Sequence, residues 1–163
     1  MNKIKMKMYF DLTYLLLIAA TFGAVLVLGI FVAPVVFHSE TLLSVALLDN
    51  YNEGVIMSEV FRRFTYWTYL TTLYIVAVEL YEYKSMRRDK IVGISAFLAV
   101  GSMLLFSSVY TPKILEMQAE GPEATMSEAF AGLHNGSELA FKILAVALAV
   151  LFYRRVMLLR TIK

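Results

Sequence analysis

The chain has 163 residues, 60% of them hydrophobic, and a formal net charge of only +2. A soluble globular chain is nearer ~45–50% apolar, so a water-soluble fold of this length would not bury so much apolar surface. The small, scattered charge argues against nucleic-acid binding, and the absence of cysteine excludes disulfides, thiolate metal sites and iron–sulfur clusters. We therefore expect one transmembrane domain over residues 1–163.

Four segments are apolar over the ~20 residues that a helix needs to cross a bilayer. The first covers residues 12–37 and is longer than the ~7–15-residue core of a secretory signal, so we interpret it as a retained transmembrane helix. The others cover about 64–83, 91–110, and 139 to 159. Because irregular backbone cannot face lipid, the sequence predicts an all-α integral membrane four-helix bundle.

The basic residues predict the orientation of these spans. Eleven of the fifteen lysines and arginines fall on one side, namely Lys3, Lys5, Lys7, Lys84, Arg87, Arg88, Lys90, Arg154, Arg155, Arg160 and Lys163. Since short loops rich in Lys and Arg stay in the cytoplasm, we expect both termini inside. The predicted location is the bacterial cytoplasmic (inner) membrane, as a multi-pass protein.

A repeated pentapeptide indicates an internal duplication. Met-Ser-Glu-Val-Phe stands at 57–61 and Met-Ser-Glu-Ala-Phe at 126–130, each before an even-numbered span. Each also follows a proline near the outer end of an odd-numbered span. We interpret residues 1–83 and 90–163 as two parallel helical hairpins related by an axis along the membrane normal.

The starts of the even-numbered helices are also predicted. Thr125 and Glu128 fit a capping box, in which Thr125 satisfies free helix N–H groups, so the fourth helix should begin near Met126. By analogy, the second helix should begin near Gly54. Both helices would then project above the outer surface of the bilayer.

The polar residues near the outer surface form the candidate site. At ~1.5 Å per helical residue, His38 and His134 both fall near that surface, and Glu138 lies four residues after His134 on the same helical face. The neighbouring polar residues are Glu59, Arg62 and Arg63.

Two neutral imidazoles with one carboxylate could hold copper or zinc. Met57, Met117 and Met126 are on the same side and could add soft ligands for Cu(I). The alternative is that these are interfacial polar groups, bonded to one another and to water. A bis-histidine haem is a third interpretation.

Two charges fall within the spans. Glu79 is near the inner end of the second, where it can reach the interface beside Glu82, and Lys142 near the outer end of the fourth can pair with Glu138. An ion relay is the functional alternative, because charges inside a bilayer are costly to keep.

Three short segments carry a resemblance to a known group. Ala-Pro-Val-Val-Phe at 33–37, Glu-Val-Phe-Arg-Arg-Phe at 59–64 and Leu-His-Asn-Gly-Ser at 133–137 are similar to segments of the CopD-like small membrane proteins, which include largely uncharacterised four-helix bacterial members. The resemblance implies copper handling in the inner membrane, with His38 and His134 as the positions carried over.

Several hypotheses about function follow. The first is a polytopic inner-membrane protein that binds copper or another transition metal at the His/Glu cluster. The second is a non-enzymatic structural or assembly partner of a membrane complex, or a homo-oligomer. A haem-binding protein and a small ion transporter are weaker alternatives. No phosphate loop, Ser/His/Asp pattern or catalytic acid pair occurs, so we do not expect an enzyme.

Overall fold

The computed structural model describes residues 3–41, 48–86 and 88–160, and every regular element within them is helical. Arg87 and Lys163, which entered the orientation argument, lie outside the described residues, as do the side chains of Lys3 and Lys5. The elements are α1 (Lys3–Leu26), a π-helical segment (Val27–Val32), α2 (Ala33–Phe37), a 3-10 turn (Ser39–Thr41), α3 (Asn50–Lys84), α4 (Lys90–Leu105), a second π-helical segment (Phe106–Tyr110), α5 (Thr111–Glu120), α6 (Pro122–Thr125) and α7 (Glu128–Arg160). The prediction of an all-α fold is confirmed.

Two helical stretches, Met6–Phe37 and Lys90–Glu120, are long and apolar enough to cross a membrane, at 32 and 31 residues. They contain the first and third predicted spans. The helices α3 and α7, at 35 and 33 residues, have similar lengths but carry more charged side chains. By length and composition, two of the four predicted spans therefore have the character of membrane helices.

Each apolar stretch widens into a π-helical segment beside its proline. Pro34 lies in the first turn of α2, and Pro112 lies in the first turn of α5. A proline ring clashes with the carbonyl four residues earlier, which belongs to Ile30 or Ser108, and both residues lie within the π segments. The wider turn accommodates each proline without ending the helix. The same local feature thus occurs in both predicted repeats.

The four long helices pack side by side. Both α3 and α7 contact α1 and α4, and the contact between α4 and α7 is the most extensive. Ile18, Ile75, Met103, Leu144 and Leu148 are fully buried between them.

Hydroxyl groups also join the helices. The Thr21 and Thr71 hydroxyls are 3.0 Å apart, the Thr68 and Ser107 hydroxyls are 2.5 Å apart, and the Trp67 indole N–H donates to Thr21 over 2.9 Å. Such bonds hold helices together where no water is available to replace them.

The predicted helix starts were wrong by a few residues. The helix α3 begins at Asn50, because the Asp49 carboxylate accepts from the Asn52 N–H over 2.7 Å. The cap of α7 is Ser127, whose hydroxyl accepts from the Phe130 N–H over 3.2 Å. The hydroxyl of Thr125 instead donates to the Pro122 carbonyl, because Pro122 opens the separate short helix α6.

Candidate ligand cavity at the α6 end

A cavity of about 370 Å³ lies between α2, α3, α5, α6 and α7. Phe61 and Phe106 form part of its lining, and their ring centroids are 5.2 Å apart in an edge-to-face arrangement. A hydrogen bond joins two of the surrounding helices, because the Tyr51 hydroxyl on α3 donates to the Gln118 carbonyl on α5 over 2.6 Å. Ser39, just after α2, donates through its backbone N–H and its hydroxyl to the buried Glu53 carboxylate.

Both copies of the repeated pentapeptide line this cavity. The first copy, on α3, contributes Met57, Ser58 and Phe61, and the second, around the start of α7, contributes Met126 and Phe130. The two copies, which are far apart in the sequence, therefore line the same cavity. The pentapeptide was a sequence signal for this site, although the repeat was interpreted as evidence of duplication and only Met57 and Met126 were considered as ligands.

Three largely buried polar side chains line the cavity without a hydrogen-bond partner among the described residues. Ser58, Thr111 and Gln118 are only 8%, 6% and 6% exposed, and their side chains form no hydrogen bond with any residue that the structure describes. Within that same part of the chain, no side-chain nitrogen or oxygen is both fully enclosed and unpartnered. The cavity is the space that these three residues share, so their polar groups are available to a bound molecule.

Apart from His134, the described lining of the cavity contains no acidic or basic side chain. Its described lining residues include no aspartate, glutamate, lysine or arginine, and the surface is largely aromatic and apolar with a few polar groups. That combination is typical of small-molecule sites, in which apolar area supplies affinity and a few hydrogen-bonding groups fix orientation. An uncharged lining favours an uncharged ligand, because a buried ion would lack a counter-charge.

His134 lies at this cavity and His38 does not. The exposed His134 ring stacks on Phe130 at a centroid distance of 6.4 Å and meets Phe37 edge-on at 6.5 Å. The His38 ring, also exposed, turns back along its own helix, where Nδ1 donates to the Pro34 carbonyl over 3.0 Å.

The remaining predicted site residues pair locally. Glu138 forms an ion pair with Lys142 over 2.6 Å. Glu59 pairs with Arg62 at 2.6 Å and with Arg63 at 2.8 Å. These guanidinium groups, Arg62 above all, stabilise the ionised carboxylate and lower the pKa of Glu59 to about 2.

The predicted metal site is not assembled by these contacts. Among the described residues, no three histidine, aspartate or glutamate side chains converge to hold a metal ion. His38 is directed to a backbone carbonyl and Glu138 to a lysine, so the set His38, His134 and Glu138 gains no support from the geometry. Copper and haem at this cluster stay predictions.

A second polar cluster lies at the opposite end of the helices, near residues 84–90. The Glu79 carboxylate accepts from Arg155 over 2.6 Å and from the Tyr14 hydroxyl over 2.5 Å, which joins α1, α3 and α7. Sequence reasoning placed Glu79 at the interface beside Glu82 and missed this pairing. The signal was present, since Glu79 and Arg155 are opposite charges at the same end of two predicted spans.

Comparison with known proteins identifies the family. No curated protein and no solved structure matches the chain. The model of the domain of unknown function DUF4149 matches residues 16–123, a range that includes Ser58, Thr111 and Gln118 but excludes His134. Nothing in that match links the chain to the CopD-like proteins. The match covers well over half of the chain, which therefore belongs to the DUF4149 family.

Proposed function

We propose that this is a four-span protein of the bacterial cytoplasmic membrane whose α6-end cavity binds a small, uncharged, largely apolar molecule. The observation that carries the proposal is a largely apolar cavity lined by Ser58, Thr111 and Gln118, three largely buried residues whose side chains bond to no residue that the structure describes. Polar side chains in largely buried positions are normally hydrogen-bonded. Side chains that lack such a partner at a cavity therefore favour a ligand that forms hydrogen bonds with them.

The proposed topology places all four long helices across the bilayer. Met6–Phe37 and Lys90–Glu120 have the length and composition of membrane helices, and α3 and α7 pack against both stretches. The excess of Lys and Arg around residues 84–90 and at both ends of the chain favours a cytoplasmic location for that end. The α6 end and its cavity then face outward.

The expected ligand has an apolar body and one or more hydrogen-bonding groups. The rings of Phe61, Phe106 and Phe130 offer flat apolar surfaces. The amide of Gln118 can both donate and accept, whereas the hydroxyls of Ser58 and Thr111 add further bonds nearby. His134 at the cavity provides one more such group, which can bond either to a ligand or to water.

A matched pair of probes tests this proposal. 1-Naphthol and naphthalene share an apolar body and differ in one hydroxyl, so a hydrogen bond in the cavity should favour the first. Equilibrium dialysis of the detergent-purified protein, with a protein-free detergent blank, should show saturable binding of 1-naphthol. Gln118→Leu should weaken 1-naphthol binding by roughly fivefold, the effect of one neutral hydrogen bond, and leave naphthalene binding unchanged.

Two further variants complete the experiment. Ser58→Phe should fill the cavity and abolish binding of both probes. Ser95→Ala is the matched control, because the Ser95 hydroxyl bonds to the Ile91 and Val92 carbonyls away from the cavity. The proposal fails if the wild-type protein shows no saturable binding, or if Gln118→Leu and Ser58→Phe bind 1-naphthol as the wild type does.

An acidic surface beside the cavity favours a second function, the binding of a membrane-protein partner. Glu116, Glu120, Glu123 and Glu128 are exposed and form no ion pair with any residue in the described ranges, and Met126 among them is 84% exposed. Such a surface suits a basic segment of a partner. Cross-linking in intact membranes should yield a defined adduct that replacement of the four glutamates by glutamine removes. Recovery of the same adduct from that variant would contradict this function.

A further inference from the structure

A second cavity runs along the surface between α3 and α4 near residues 84–90. This α3–α4 groove has a volume of about 600 Å³, and its apolar walls include Val76, Leu80, Gly93 and Phe97. Phe97 is exposed despite being a large aromatic side chain, and Leu80 is exposed as well. An elongated apolar molecule would cover both.

Two basic residues at the mouth of the groove have no acidic partner in the part of the chain that the structure describes. Arg88 and Lys90 both line the groove, and neither forms an ion pair with any residue that the structure describes. The Arg88 guanidinium instead lies 4.1 Å from the centroid of the Tyr83 ring, a cation–π contact that orients it.

The acidic residues in the groove are already paired. Asp89 accepts hydrogen bonds from Arg154 over 2.8 Å and from the Val92 N–H over 3.0 Å. Glu79 is bonded to Arg155 and Tyr14. The charge left for a ligand at the mouth is therefore the positive charge of Arg88 and Lys90.

The dimensions match one leaflet of a bilayer. From Lys90 at the mouth to Val100 in the groove, the helix α4 rises about 15 Å. That is half of the ~30 Å hydrocarbon core. A chain lying in the groove would therefore start at the level of the headgroups and end near the bilayer centre.

We propose that the α3–α4 groove binds an anionic phospholipid, with its phosphate at Arg88 and Lys90 and one acyl chain along α4. This inference rests on the proposed membrane topology, which places residues 84–90 at the cytoplasmic surface, and it is independent of the outer cavity. Basic residues at a cytoplasmic interface attract anionic headgroups, and the exposed apolar walls accept the acyl chain.

Native mass spectrometry with competing lipids tests the proposal. The detergent-purified protein is mixed with equal amounts of phosphatidylglycerol and phosphatidylcholine that carry the same acyl chains. The wild type should retain phosphatidylglycerol over phosphatidylcholine by at least about fivefold, the effect of one basic group near an anionic charge. The double variant Arg88→Gln/Lys90→Gln should bring that ratio close to one. Lys84→Gln is the matched control, because Lys84 is an exposed cation at the same end that does not line the groove.

A second variant tests the acyl chain separately. Gly93→Leu places a side chain in the groove, and a Cβ at this position meets nothing within 4 Å, so the fold should tolerate it. This variant should lose adducts of both lipids. Equal retention of both lipids by the wild type, or an unchanged ratio in Arg88→Gln/Lys90→Gln, would overturn the proposal.

Two other occupants would give different results. Displacement of phosphatidylglycerol by excess inorganic phosphate alone would mean that the site binds a free anion, and this result would also overturn the lipid proposal. A dimer that disappears in Gly93→Leu, without any preference between the lipids, would mean that a second copy of the chain fills the groove. Because neither readout involves 1-naphthol or the α6-end cavity, failure here leaves the proposed ligand site standing.

Discussion

The Glu79 carboxylate has two partners on other helices, Arg155 on α7 and Tyr14 on α1. The two charged side chains are only 21% and 15% exposed. A pair that is this secluded behaves differently from a surface ion pair, because removal of one charge leaves the other largely buried without an opposite charge. The contrast is with Glu138 and Lys142, whose side chains are 54% and 71% exposed and which can return to solvent.

We expect Arg155→Met to lower the free energy of unfolding by about 3 kcal/mol, because the Glu79 carboxylate is then buried without its cation. The double variant Glu79→Gln/Arg155→Met should be more stable than Arg155→Met alone, since no charge is left uncompensated. The measurement is unfolding of the detergent-purified protein followed by circular dichroism.

The exposed ion pair of Glu138 and Lys142 is the control for the Glu79 and Arg155 variants. Glu138→Gln and Lys142→Gln should each change stability by no more than about 0.5 kcal/mol. If Arg155→Met were as mild as these, or the double variant were less stable than Arg155→Met, the pair would not hold the three helices together.

At the scale of single elements, α7 shows how close packing depends on a missing side chain. A Cβ on Gly136 would lie 2.7 Å from the Tyr110 ring, in the π-helical segment before α5. Gly132, one turn earlier on α7, has nothing within 4 Å of the corresponding position. The two glycines therefore look alike in the sequence, but only one of them is required by a neighbouring helix.

These glycines form a matched pair for an alanine test. Gly132→Ala should stabilise the protein by up to about 1 kcal/mol, because alanine is the better helix former. Gly136→Ala should be destabilising by about 1 kcal/mol or more, since the overlap with Tyr110 outweighs the same gain in helix propensity. Chemical denaturation of both variants measures the difference, and equal stabilisation by both would show that Tyr110 moves aside freely.

For the whole molecule, the arrangement of helices sets two ends with different chemistry. The α6 end holds a largely apolar cavity beside exposed glutamates, and the opposite end holds an apolar groove beside basic residues and the largely buried Glu79–Arg155 pair. Under the proposed topology, the first faces out of the cell and the second faces the cytoplasm.

The absence of cysteine makes this topology directly testable. Met126→Cys and Ser85→Cys introduce one thiol each, at exposed positions at opposite ends. A membrane-impermeant maleimide added to intact cells with a permeable outer envelope should label Met126→Cys and leave Ser85→Cys unlabelled. Lysis of the cells should then expose Ser85→Cys. The reverse pattern would invert the orientation, and labelling of both before lysis would contradict the four-span topology.

The helical class and the apolar character of the first and third spans could be read from the sequence, because uninterrupted apolar runs of membrane length leave the backbone few alternatives. The helix starts were less well determined. Thr125 and Ser127 can both cap a helix, and only the short helix opened by Pro122 assigned the cap to Ser127.

The residues of the candidate site depended on tertiary structure for a different reason. Sequence reasoning selected histidines and charged residues because those types bind metals, and it placed His38, His134 and Glu138 at one level. The i, i+4 spacing of Glu138 and Lys142 did indicate their pairing, which the structure confirms. The sequence could not determine that the His38 ring bonds to its own helix, since side-chain direction depends on local geometry.

The repeated pentapeptide, the prolines and the scarcity of charge in the predicted spans were properties of the sequence alone. What only the tertiary structure decided was which of those features meet. Packing of α3 and α5 beside α7 brings Ser58, Thr111 and Gln118 to one cavity, and packing of α1, α3 and α7 brings Arg155 to Glu79. The physical reason is that a helical sequence fixes which residues share a face, whereas the contacts between helices decide which faces become enclosed.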